Sequence, residues 1–224
     1  MTNNEQTPSE KLSAALVKYR AFLIGLAVVV FVFVAVIVLG TSISNKALAK
    51  DLSALDAVEY AFKKDADTVK EEDWEARRNA ALAGLETLTT KSGIVGVRAN
   101  MLKADILFQQ KEWESSRAAW LEAAETKKSI YTAPICYFNA AVCSENLNDL
   151  DSAVKYYEKS IDAEEFFLVD HAYFSLGRVN EAKGDTEAAL KAYEKLNDLH
   201  PTSKWAAVAK SRSIAISAAT PKAE

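Results

Sequence analysis

Glycine and proline are scarce in these 224 residues, seven and four respectively, against a hydrophobic share of 50%. Folds built on many tight turns draw on both at their reversals, so the scarcity excludes a turn-rich β architecture. The prominence of Ala, Leu, Glu and Lys points the same way, to helices. Histidine is limited to His171 and His200, and cysteine to Cys136 and Cys143. Neither the ligand cluster of a zinc site nor a base with its orienting partner accompanies them, so no metal, cofactor or catalytic set is expected. An excess of positive charge is also missing. The net charge of −4 and the pI of about 5.4 leave nucleic-acid binding without electrostatic support. The interleaved acids and bases read as solvated helix surface.

What the chain does have is one long apolar run. AFLIGLAVVVFVFVAVIVLG, Ala21 to Gly40, holds 20 residues without a charged side chain. At roughly 1.5 Å per residue it spans about 30 Å, the hydrocarbon thickness of a bilayer. Seven of its residues are Val, acceptable where lipid drives every backbone group into internal hydrogen bonds. A single transmembrane helix is expected. The rival is a cleaved signal peptide, since Ala47-Leu48-Ala49 has a small-x-small pattern. A signal peptide's apolar region usually runs about 7–15 residues, shorter than this one. No Cys adjoins the run, which excludes the usual lipid attachment. Lys11, Lys18 and Arg20 precede it while Lys46 and Lys50 follow. That slight positive-inside bias places the N-terminal tail in the cytoplasm and the remainder outside, periplasmic in a diderm bacterium. No Gly-x3-Gly pattern occurs in 21–40 to drive helix pairing.

Beyond the run the apolar residues keep a helical period, and alternating strand patterns are missing. Tyr173, Leu176, Gly177 and Asn180 share one helix face, Gly184-Asp185 breaks the helix, Ala189, Tyr193 and Leu196 line a second, and Pro201 stops it. One such hairpin cannot bury its own apolar face, so further copies are required. Upstream, Asn148 to Ala153 repeats the turn and is followed by Tyr157 and Ser160, with Tyr137, Ala140, Ala141 and Ser144 on the preceding helix. Lys111 to Ser116 repeats it again, with Trp120 and Ala123 after it and Ala104 and Leu107 before. A weaker copy has Trp74 at its turn, then Arg77, Ala81 and Gly84, with a first helix within Ala47 to Ala66. Arg77, Ser116, Ala153 and Ala189 stand at equivalent positions, 39, 37 and 36 residues apart. Ser203 to Ala218 follows as a lone amphipathic helix with Trp205, Val208, Ile214 and Ile216, suited to cap the stack.

These landmarks resemble the tetratricopeptide repeat, with Asn180 where an aromatic is usual and Leu196 where Ala is usual. The resemblance covers roughly residues 55–218 and implies an all-α solenoid of about four helix hairpins with a C-terminal capping helix. Leu199 to Ala207, LHPTSKWAA, is similar to repeat ends in bacterial cell-envelope proteins of this superfamily. Together with the N-terminal anchor, the layout resembles membrane-anchored tetratricopeptide proteins exemplified by the ancillary subunit of the Sec translocon. The expected organisation is a cytoplasmic tail (1–20), a transmembrane helix (21–40), a juxtamembrane helix or linker (41–54), the solenoid (55–218) and a frayed tail (219–224).

Cys136 and Cys143 are seven apart on one helix, about 10 Å along its axis, too far for a mutual disulfide. They read as small buried hydrophobes. Gly93-Ile94-Val95-Gly96 lacks a phosphate loop's lysine and reads as an inter-repeat turn. Trp74, Trp113, Trp120, Tyr137, Tyr157, Tyr173 and Tyr193 sit at repeat packing positions and read as core. The resemblance implies a concave face lined by the first helix of each repeat. That frame puts Arg98, Met101, Asp105 and Phe108, then Phe138, Val142 and Glu145, then Phe174, Arg178 and Glu181 on it. The face is apolar in its middle with charges of both signs around it, and the Lys/Asn clamp of carboxylate-binding relatives is missing. A non-enzymatic scaffold for a protein or peptide partner is the leading expectation, with translocon, chaperone or envelope-assembly components as partners; a self-assembling structural module is the alternative.

Overall fold

The computed structural model describes residues 7–126, 131–163 and 166–219, and among them every regular element is helical. The first six residues of the expected tail and residues 220–224 of the frayed tail lie outside the described residues. The chain divides into two compact units, residues 1–50 and 51–224. The first unit is the N-terminal part of helix α1 (Pro8–Lys63), and contains the apolar run. Among the described residues this is one helix long and apolar enough to cross a membrane, its apolar side chains exposed.

The second unit begins with the last residues of α1, whose Leu55 and Phe62 point into a core. A 3-10 turn (Ala66–Thr68) leads to α2 (Glu71–Leu85), where Glu71, Glu72 and Asp73 complement the positive end of the helix dipole. Then come α3 (Gly93–Gln109) and α4 (Trp113–Thr126), α5 (Ala133–Asn146) and α6 (Leu150–Ile161), α7 (Val169–Lys183) and α8 (Thr186–Leu199), and finally α9 (Lys204–Ala219). Each helix packs on the next from α2 to α9, and α9 also touches α7. This is a solenoid of helix hairpins closed by one extra helix.

The same turn recurs within three hairpins. Lys111, Asn148 and Gly184 all adopt positive φ, 63°, 56° and 79°. At each, two backbone bonds close the first helix: Lys111 N to Phe108 O and Glu112 N to Leu107 O; Asn148 N to Glu145 O and Asp149 N to Ser144 O; Gly184 N to Glu181 O and Asp185 N to Asn180 O, all 2.9–3.0 Å. These are paired Schellman bonds, which satisfy carbonyls the helix end would otherwise leave bare. Asp149 and Asp185 then start the next helix by accepting from Ser152 N and Ala188 N.

Small residues set the helix spacing. Ser116, Ala153 and Ala189 are fully buried, as are Ala104 and Ala141, and Ser116 Oγ satisfies itself on Ala104 O at 2.8 Å. At Gly177 even a methyl group has no room, because it would overlap the Tyr193 ring. Arg77 departs from the small set. Its guanidinium donates to Phe62 O and Lys64 O, capping the C-terminal end of α1 instead of packing beneath it.

The structure departs from the sequence pattern at two places. The Gly93–Gly96 stretch is the start of α3, not a turn; Gly96 is buried where the Lys91 carbonyl crosses the helix too closely for any Cβ. In α9 the buried positions are Ala206 and Ala209, while Val208 (45% exposed) and Ile214 (63%) face outward. Helix α9 lies close over α7 and α8, and close approach selects the small alanines for the inner stripe. Trp205 and Ile216 do pack inward.

Candidate partner-binding groove

The expected face lies on the first helices α3, α5 and α7, and α9 packs on the last of them. Between α5 and α7 lies an open cleft of about 430 Å³. Its floor is aromatic. Phe138 is only 6% exposed, its ring edge-on to Tyr157 at 5.4 Å and 5.0 Å from the His171 ring. His171 in turn stacks flat on Trp205, 4.2 Å away and 3° from parallel, and Trp205 stacks on Phe174, itself 8% exposed. Phe138 and Phe174, expected on the groove surface, therefore belong to the packed floor. An aromatic ring in the first helix finds more apolar contact against the second helix and the following repeat than in solvent.

Charged side chains form the cleft's walls in a repeating arrangement. Glu145 of α5 accepts from Tyr157 Oη at 2.5 Å and from Arg178 Nη2 of α7 at 2.7 Å. One repeat later Glu181 of α7 is engaged by Arg212 of α9 through Nε at 2.9 Å and through Nη2. Hydrogen bonding to Arg212 holds the Glu181 carboxyl below the usual range, and burial together with the Glu145 charge pushes the Tyr157 hydroxyl up. Tyr193 occupies the place of Tyr157 one repeat later, its hydroxyl buried beside Glu181 without an aligned hydrogen bond. At the other end, Arg98 of α3 donates to Asp56 at 2.8 Å and Glu59 at 3.0 Å on α1.

The central positions differ. Met101, Phe108 and Val142 are partly exposed and apolar, with Phe108 edge-on to Trp113 at 4.8 Å. Asp105 lies among them, part-buried, and its carboxyl is raised by that burial. Of the eight residues expected to meet a partner, Arg98, Met101, Asp105, Phe108, Val142 and Arg178 thus retain exposed surface. Sequence reading gave no role to His171 and placed Tyr157 as core alone, missing its grip on Glu145. The one available signal was the three-residue step from His171 to Phe174, which puts both on one helix face.

Cys136 and Cys143 are free and fully buried, with burial pushing the Cys136 thiol up to about 12. Both are inert apolar packing groups, and Cys143 Sγ donates weakly to Ser116 Oγ at 3.4 Å. The aromatics expected in the core are there: Trp120, Tyr157 and Tyr193 are buried, and Trp74, Trp113, Tyr137 and Tyr173 are partly so.

This arrangement, helix hairpins stacked around a groove built by their first helices, is that of repeat proteins. Residues 145–204 match the tetratricopeptide repeat family, and residues 102–167 match a domain of unknown function, DUF6340. The chain is 38% identical over 145 residues to a "TPR repeat-containing protein" of Treponema pallidum (strain Nichols), a match covering 63% of this chain and 61% of that protein. Among solved structures it is similar to MamA (TM-score 0.47, 20% identity, 69% of this chain and 91% of that one). It is also similar to BtubC from P. vanneervenii (TM-score 0.47, 18% identity, 68% and 63%).

Proposed function

We propose that the chain is a non-catalytic, single-pass scaffold of the inner (cytoplasmic) membrane, with residues 1–20 in the cytoplasm, residues 21–40 in the bilayer and the solenoid of residues 55–218 in the periplasm. Its groove holds a segment of a partner protein engaged in secretion or envelope assembly. The observation that carries this reading is the centre of the groove, where Met101, Phe108 and Val142 expose apolar surface while the charges on either side are locked in ion pairs. Solenoids present their binding surfaces in this way. Tethering raises the local concentration of a weakly bound partner at the membrane.

A photo-activatable cross-linker at Phe108 in intact cells tests the groove. Adducts are expected, and Val142→Glu, a change at a partly exposed site, should abolish them without altering helicity or Tm. Adducts unchanged by Val142→Glu would overturn the groove assignment. Protease added to spheroplasts should cleave the solenoid; protection until the membrane is broken would reverse the orientation.

One observation favours self-assembly as the second reading. Between α8 and α9 lies an open groove of about 830 Å³ bordered by Leu190, Pro201 and the outward Ile214. Light scattering of the full chain in detergent separates the two: a monomer leaves the partner reading alone, whereas an oligomer dispersed by Ile214→Lys supports assembly.

A further inference from the structure

The steps between successive first helices are not alike. From α1 to α3 the step is closed by Arg98 with Asp56 and Glu59, from α5 to α7 by Glu145 with Arg178, and from α7 to α9 by Glu181 with Arg212. From α3 to α5 the positions equivalent to Glu145 and Arg178 are Phe108 and Val142, and among the described residues no ion pair crosses. Three residues before Phe108 on the same helix stands Asp105, at the register of Val142 and Arg178. Its carboxylate accepts one bond, from Gln109 Nε2 on its own helix at 3.2 Å. The charge of Lys63 reaches it, but Lys63 is bound to Glu59 at 2.7 Å. The nearest charged groups on α1 are already engaged, Asp56 and Glu59 by Arg98 and Glu59 also by Lys63.

Asp105 is part-buried next to apolar side chains of its own helix, and the loss of hydration outweighs both the Gln109 bond and the pull of a Lys63 already bound to Glu59. A cation delivered there with an apolar neighbour would restore the charge balance and cover the exposed carbon in one contact. We propose that the α3–α5 step of the groove receives a Lys or Arg side chain of the bound segment, with an adjacent apolar side chain covering Phe108 and Val142. The partner is thereby of a stated chemistry, a segment in which a basic and an apolar residue are neighbours. This rests on the reading of the groove as a partner site.

The test uses the full chain in phosphatidylcholine nanodiscs and a short fluorescein-labelled peptide of Ala, Gln and Leu with one central Lys, alongside its Gln and Glu counterparts, with empty nanodiscs as blank. Fluorescence anisotropy should show the Lys peptide bound about tenfold tighter than the Gln peptide and the Glu peptide bound weakest. Asp105→Asn should bring the Lys peptide to the affinity of the Gln peptide, while Glu187→Gln, at an exposed carboxylate on α8 outside the groove, should leave the Lys preference intact. Circular dichroism melts verify that both variants fold. A Lys preference that survives Asp105→Asn, or equal binding of all three peptides, overturns this inference and leaves the groove reading standing. Competitive binding of all peptides that Val142→Glu fails to disturb overturns the groove reading itself.

Discussion

Lys111, Asn148 and Gly184 do the same job with different chemistry. Each reverses the chain at positive φ, yet only Gly184 does so without a Cβ. Lys111→Gly is therefore expected to raise stability by roughly 0.5–1 kcal/mol, since relief of the left-handed strain outweighs the added freedom of the unfolded chain. Urea unfolding measures it, and an unchanged midpoint would refute the strain argument. Gly177 is the opposite case. A methyl there meets the Tyr193 ring inside the α7–α8 contact, so Gly177→Ala is expected to cost about 1–3 kcal/mol by overpacking. Phe138→Ala should cost about 3–5 kcal/mol as a buried aromatic, whereas Val142→Ala, partly exposed, should cost well under that. Similar losses at both would contradict the assignment of Phe138 to the floor.

His171 adds a dependence on pH. Burial holds its imidazole below the ordinary value of about 6.5, against the opposing pull of Asp170, while the Lys204 and Arg178 charges push the same way as burial. The unfolded chain thus binds the proton more readily than the folded one. The contribution of His171 is complete above its unfolded pKa and is lost as pH falls from about 6.5 toward the folded value. His171→Gln should flatten that part of the stability–pH curve, which thermal melts from pH 7.5 to 5 would show. Burial raises the Asp170 carboxyl, but the Ser203 hydroxyl at 2.6 Å and the His171 N–H outweigh it and leave the group lowered, so its own contribution persists above the usual carboxylate range and disappears only at more acid pH. The two windows are separate.

At the scale of elements, the helix starts and ends were written locally. Asp149 and Asp185 cap α6 and α8 in the sequence pattern that marks a turn, and the structure adds that Asp149 also holds Arg117 of α4 at 2.6 Å. Asp149→Ala removes both, and is expected to cost more than Asp185→Ala, whose cap alone contributes about 1 kcal/mol. Equal losses would mean that the Arg117 contact contributes nothing, as many exposed pairs do not. Helix α9 shows what periodicity leaves open. Its apolar residues suit either face, and contact with α7 and α8 selected the alanine stripe, leaving Val208 and Ile214 outside.

At the scale of the whole solenoid, α9 covers the last apolar face. Phe174, Tyr193 and Leu196 share one cluster with Ala206 and Ala209, so ending the chain before Lys204 would bare a fully buried tyrosine and leucine. Repeat stability is a sum of units and neighbour interfaces. The truncated chain is expected to lose protection first in α7 and α8, with α3 and α4 little changed, as hydrogen exchange can resolve. Uniform loss would mean that the stack unfolds as a single unit.

The sequence by itself determined the helices, their pairing into hairpins and the register of the repeat. Those depend on a helical period, on turn residues and on small or aromatic landmarks, all of which act within a few dozen residues. The apolar run of residues 21–40 was equally legible, because its length and lack of charge need no neighbour to interpret. Tertiary structure alone decided which side of each first helix is floor and which is surface. Phe138 and Val142 look alike as apolar residues on one helix, and only the packing of Tyr157, Phe166 and His171 around Phe138 separates them. It also decided that Arg178 meets Glu145, 33 residues away, and that Arg212 meets Glu181, 31 away, while Asp105 is held by Gln109 of its own helix. Such pairings follow from the stacking offset between repeats, a distance set by how closely Ala, Ser and Gly let the helices approach.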